Sequence, residues 1–206
     1  MFNVFNQFVF NMNSLFTRYL VPTFFFTLVA LASFSAWAIG SRFFSSEGQM
    51  YAACAIIFLG LGGLALLPGS GLPNLKSRSG FCLLFALGFV AYSVIWSMCW
   101  FTFRDTFGEI TGSFFGLLAI VAIIRKQLGS SSTLLTATAI LFLWHSLGYY
   151  TGGQTYQMLQ GNGRFEITLP FDPKTTVTLA RFSWGLFYGL GLGFGLTCLI
   201  QRSRHS

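Results

Sequence analysis

Phe81–Trp100 reads FCLLFALGFVAYSVIWSMCW, twenty residues without one formal charge. At 1.5 Å per helical residue this stretch is ~30 Å long, which matches the hydrocarbon core of a bilayer. Five more stretches of the same kind lie around it: Tyr19–Gly40, Met50–Leu67, Gly108–Ile124, Thr133–Tyr150 and Val177–Ile200. Nearly every formal charge falls between these segments or at their ends. The expected fold class is an all-α integral membrane protein, a six-transmembrane-helix bundle.

Composition points the same way. Hydrophobic residues make up 54% of the chain, charged residues 8%, and the mean hydropathy is +0.67. A water-facing globule carries charge on roughly a quarter of its residues, so lipid is the solvent this surface suits. Six spans with short connectors use up the 206 residues, which predicts a single polytopic membrane domain over 1–206.

The net charge is +7, but the basic residues sit at helix ends and form no single water-facing patch, which argues against nucleic acid as a partner. Assigning connectors by the positive-inside rule puts Arg18, Lys76, Arg78, Arg125, Lys126, Arg202 and Arg204 on one side, against Arg42, Arg104, Arg164, Lys174 and Arg181 on the other. The expectation is a multi-pass protein of a bacterial inner membrane with both termini cytoplasmic. Its partners would be the lipid bilayer and either further copies of the chain or a larger membrane complex. No basic n-region precedes the first span, so that span is expected to stay in the mature protein. Trp37, Trp96, Trp100, Trp144 and Trp184 lie toward the outer ends of their spans and, with Tyr149 and Tyr150, read as an aromatic belt.

Between and before the spans, three features stand out. Phe2, Phe5, Phe8, Val9, Met12, Leu15 and Phe16 recur at helical spacing opposite an Asn-rich face, which predicts an N-terminal amphipathic interfacial helix. The linker Pro68–Gly80 is dense in turn residues, and a second break falls at Gln127–Ser132. In the long connector Thr151–Thr176, Tyr156–Leu159 and Arg164–Leu169 flank a Gln-Gly-Asn-Gly turn, which predicts a short extracytoplasmic hairpin. Its competitor is a continuation of the fifth span as helix to about Gln160. Asp172-Pro173 is a helix start, an N-cap followed by proline.

Two small-residue stripes at four-residue spacing, Gly108/Gly112/Gly116 and Gly185/Gly189/Gly193, are expected to pack helices closely, because dispersion contact drives helix association in lipid. Gly191 and Gly195 lie on a neighbouring stripe. Cys54, Cys82, Cys99 and Cys198 fall in or at the edge of apolar spans without CxxC spacing or paired histidines, so no metal and no cofactor are expected.

One polar constellation remains. Arg104, Asp105, Glu109, His145 and Arg181 come to a similar depth at the outer end of spans three to six. An ionisable group inside a membrane is costly unless paired or wetted, and His145 and Glu109 need partners most. A carrier of a small solute or ion could use them to attract charge or relay protons. A non-catalytic subunit of a membrane complex would use them to hold helices in register. A membrane enzyme acting near the outer leaflet would use His145 as a base. A single intramembrane histidine rules out paired histidine ligation of haem within one chain. Phosphate-binding loops, dinucleotide glycines, HExxH and GxSxG are all absent.

Overall fold

The computed structural model describes residues 16–40, 43–128, 133–161, 167 and 169–204. Phe16–Leu20 forms a short π-helical turn that runs directly into α1, Val21–Ile39. The helices that follow are α2, Glu47–Ser70; α3, Leu75–Phe103; α4, Asp105–Leu128; α5, Leu134–Leu159; and α6, Pro173–Arg204. The expected amphipathic helix falls on residues outside the described ones apart from Phe16.

Local chemistry explains where the helices begin and end. Pro22 sits at the start of α1, where the first amides lack helical partners anyway. Side-chain caps open the next elements: Ser46 accepts from Gln49 N at 3.3 Å, Asn74 from Ser77 N at 2.9 Å and Thr133 from Thr136 N at 3.3 Å. Asp172 opens α6 by accepting from the amides of Lys174 and Thr175 at 3.0 and 3.1 Å. The Thr175 hydroxyl and these amides hold the Asp172 carboxyl below its usual range. Gly71, at φ 64°, ends α2 in the left-handed conformation that glycine adopts without strain.

Two sequence expectations change. The linker read as Pro68–Gly80 shrinks to Gly71–Asn74, because α2 continues through Pro68 to Ser70 and α3 already starts at Leu75. The hairpin is corrected as well: Tyr156–Leu159 is the last turn of α5, and no strand occurs among the described residues. Tertiary contact accounts for the longer helix, since the Tyr156 ring lies 5.7 Å from Trp37 and 5.4 Å from Trp184. Ile167 folds back on the helix end, its amide donating to Met158 O at 3.2 Å.

The joint between α3 and α4 is the tightest in the molecule. Arg104 alone separates the two helices, at φ 60° and ψ 178°, and Asp105 follows at φ 46°. Both are left-handed positions that favour glycine, and each costs about 1–3 kcal/mol for another residue. Arg104 recovers part of this by laying its guanidinium over Trp100, 5.4 Å from the ring centre. Arg104→Gly is therefore expected to raise stability by about 1 kcal/mol, the strain relief exceeding the lost ring contact. Thermal unfolding in detergent measures this, and an unchanged or lower midpoint would contradict it.

Each helix packs on its chain neighbours, and α6 returns to α1, so the six close into a ring. Contact is dense at α1–α2, α3–α4, α5–α6 and α1–α6, and thinner at α2–α3 and α4–α5. Helix α6 leans inward and touches four of the other five. The start of α1 and the end of α6 share one end of the bundle, where the buried Gln201 amide donates to Arg18 O at 3.2 Å and Gly69 O at 2.8 Å.

The surface is the reverse of a soluble protein's. Phe24, Leu28, Ile56, Leu83, Met98 and Leu143 point outward, while Thr27, Ser33, Ser113, Thr138, His145 and Thr197 are buried. Apolar residues outside and small or hydroxyl-bearing residues inside are what helices packed in lipid require. Five helical segments are long and apolar enough to cross a membrane: Phe16–Ile39, Glu47–Ser70, Leu75–Phe103, Asp105–Arg125 and Pro173–Ser203. Helix α5 is as long, but Thr136, Thr138, His145, Gly148, Tyr149 and Tyr150 lower its hydropathy, so it is not among them.

Glycines set the helix separations. Gly108 and Gly112 lie against the α3 backbone at Cys99, Trp100 and Trp96, and Gly116 lies under the Tyr92 ring. Gly185, Gly189 and Gly193 face α1 at Phe34, Ala30, Thr27 and Phe26. The closest approach uses a stripe that ends outside the expected fifth span. A Cβ on Gly148 would run into Phe187 O, one on Gly191 into Trp144 O, and one on Gly152 would stand 3.1 Å from the Trp184 backbone.

Candidate functional site

The interior of the ring is filled with aromatic rings in a continuous column. Phe26, Phe58 and Phe85 form one end, with Phe26 and Phe58 centred 5.5 Å apart and Phe58 and Phe89 5.0 Å apart. Phe89 leads to Tyr92 at 6.0 Å, and Tyr92 to His145 at 5.9 Å. His145 lies parallel to Tyr149, at 5.8 Å and 13°, with the edge of Tyr188 at 5.6 Å. From Tyr149 the column passes to Trp184 at 5.8 Å and then to Trp37 at 5.8 Å.

His145 is 1% exposed. Its Nε2 shares a hydrogen bond of 3.2 Å with the Tyr92 hydroxyl, and Ser113 of α4 is buried as well. Its Nδ1 is buried without a partner. The expected approach of Glu109 to His145 is made through an intermediary: Tyr149 lines the same cleft as Glu109, while its ring stacks on the imidazole. A polar thread thus runs Glu109, Tyr149, His145, Tyr92 and Ser113, with a hydrogen bond at His145–Tyr92 and a ring contact at Tyr149–His145.

Above Tyr149 lies a cleft of about 430 Å³ at the end of the bundle opposite Gln201. Helix α4 contributes Asp105 and Glu109 to its walls, α5 Tyr149 and Tyr150, α3 Trp100 and α6 Trp184. Gln154 and Gln157 also line it, and among the described residues no lysine or arginine does. Two of the five acidic residues of a chain with net charge +7 are therefore gathered in one cavity. The Trp184 indole nitrogen is buried without a hydrogen-bond partner.

The two arginines of the expected cluster stand apart. Arg104 caps the α3–α4 joint over Trp100. Arg181 lies on the far side of Trp37, donating from Nη1 to Trp37 O at 2.9 Å with its guanidinium 4.8 Å from the indole centre. It lines two separate hollows flanking the end of α1, of about 320 and 390 Å³. Asp105, Glu109 and, through Tyr149, His145 are brought together; Arg104 and Arg181 are not part of that group.

Sequence reading missed Tyr92, Ser113 and Tyr188 and placed Tyr149 in an interfacial belt. Uncharged residues in an apolar span carry no signal of their own. Only the requirement that buried His145 find a partner pointed toward them. The four cysteines are free, and among the described residues no cluster of His, Cys, Asp and Glu could hold a metal. Compared with known protein families, curated proteins and solved structures, the chain matches none.

Proposed function

We propose that this chain is a carrier of a small solute or ion, its six helices all crossing an inner membrane with both termini on the cytoplasmic side. In this reading the Asp105–Glu109 cleft is the extracytoplasmic loading site, and the thread from Glu109 to Ser113 lies between it and the rest of the interior. The observation that carries the reading is the acidic, aromatic cavity set over a buried histidine at one end of a closed helical ring. Such a cavity concentrates cations from the aqueous phase. The shared end of α1 and α6 supports an even number of crossings.

A second reading, a non-catalytic subunit of a membrane complex, is favoured by the packed interior: Phe26, Phe85 and Leu141 are fully buried and seal the ring below the cleft. Flux into proteoliposomes separates the two. A carrier shows saturable uptake that falls in both Glu109→Gln and His145→Ala, whereas the absence of uptake in every form leaves the subunit reading.

The topology has its own test. In a cysteine-free background, a membrane-impermeant thiol reagent added to intact cells is expected to label a cysteine at Gln154 and to spare one at Lys76. Both positions are exposed. The opposite pattern would place the cleft on the cytoplasmic side.

A further inference from the structure

We infer that the cleft takes an organic ammonium ion, the cationic group that lipid headgroups and small amino alcohols share. The inference rests on the proposed loading site and names its substrate class. Tyr149 and Tyr150 meet nearly at right angles, 87° with centroids 5.3 Å apart, and Trp184 is set at 63° to Tyr149. Rings in these orientations present faces and edges from different directions, with Trp100 on the opposite helix. Aromatic faces attract cations through the ring quadrupole, and tryptophan does so best.

The protein already uses this contact, with Arg104 on Trp100 and Phe101 and Arg181 on Trp37. In the cleft Tyr149, Tyr150 and Trp184 stand beside two carboxylates, and among the described residues no lysine or arginine lines the walls. A hard cation is held by several carboxylates gathered at one point, and among the described residues no three His, Cys, Asp or Glu side chains are so gathered, while a bulky, weakly hydrated ammonium suits rings and carboxylates together. The volume of about 430 Å³ admits a small organic ion. Free amino alcohols and lipid headgroups both meet this description.

The test uses the full chain in detergent, with choline as probe and 3,3-dimethylbutanol, its uncharged isostere, as control. Choline is expected to give a saturable change in tryptophan fluorescence, with the isostere at least about tenfold weaker. Trp184→Leu and Glu109→Gln should each weaken choline about tenfold, with circular dichroism reporting that the variants remain helical. Equal response to both compounds, or no saturable response to choline in the wild-type protein, overturns the inference without any variant being needed. Nanodiscs identify the source: if phosphatidylcholine weakens choline binding relative to phosphatidylglycerol alone, the headgroup is a ligand; if it does not, the free ammonium is. Binding without uptake would sink the carrier reading and leave this inference standing. Uptake of another solute without choline binding would do the reverse.

Discussion

Gly191→Leu is expected to unfold the α5–α6 pair and lower stability in detergent by about 3 kcal/mol or more. The side chain would meet the carbonyl of Trp144 and the Cα of Gly148, the latter 2.7 Å from its first carbon. A flexible side chain can rotate away from such a clash, but backbone cannot. The helices must therefore separate, and dispersion contact along the whole seam is lost. The matched control is Gly153→Ala on α5, where a Cβ meets nothing within 4 Å. It is expected to be neutral or to gain up to about 1 kcal/mol of helix propensity. If both variants melt alike, close glycine packing does not hold these helices together.

His145→Ala is the second large effect, at about 3 kcal/mol, because it empties a fully enclosed ring position. Tyr92, Tyr149 and Tyr188 all lose a ring neighbour, and the Tyr92 hydroxyl loses a hydrogen-bond partner. His145→Phe keeps the ring and removes only the hydrogen bond, so its expected cost is about 1 kcal/mol. The pair separates packing from chemistry. If uptake survives in the phenylalanine variant, the imidazole carries no proton in transport. If the alanine variant melts like the wild type, the aromatic column contributes little to the fold.

How far the sequence reaches is clear from particular helices. The cores of all six helices were legible, because a long apolar run with at most one formal charge has few other meanings. Their ends were less so. Helix α5 passes the expected limit at Tyr150 and continues to Leu159, since its last turns are held by Tyr156 on Trp37 and Trp184 and not by hydropathy. Stopping at Tyr150 cut Gly148 off from Gly152 and hid the closest helix contact in the molecule. The polar cluster was legible in depth but not in azimuth. Glu109 and Arg181 come to the same end of the bundle, yet only packing reveals that Trp37 and Trp184 stand between the arginine and the cleft. The aromatic intermediaries were invisible because nothing in a tyrosine's sequence context says which carboxylate it will reach.

In mechanical terms the ring is not uniformly stiff. Helices α2, α1, α6 and α5 form one densely joined slab, and α3 with α4, clamped by glycines on backbone and closed by the single residue Arg104, forms a second rigid piece. The thin seams α2–α3 and α4–α5 are the compliant lines between them. One of these seams runs through the cleft, with Asp105 and Glu109 on the hairpin side and Tyr149 and Tyr150 on the slab side. A small rocking of the hairpin changes the distance between carboxylates and rings while bending no helix, and Glu109 and Tyr149 face each other across that gap.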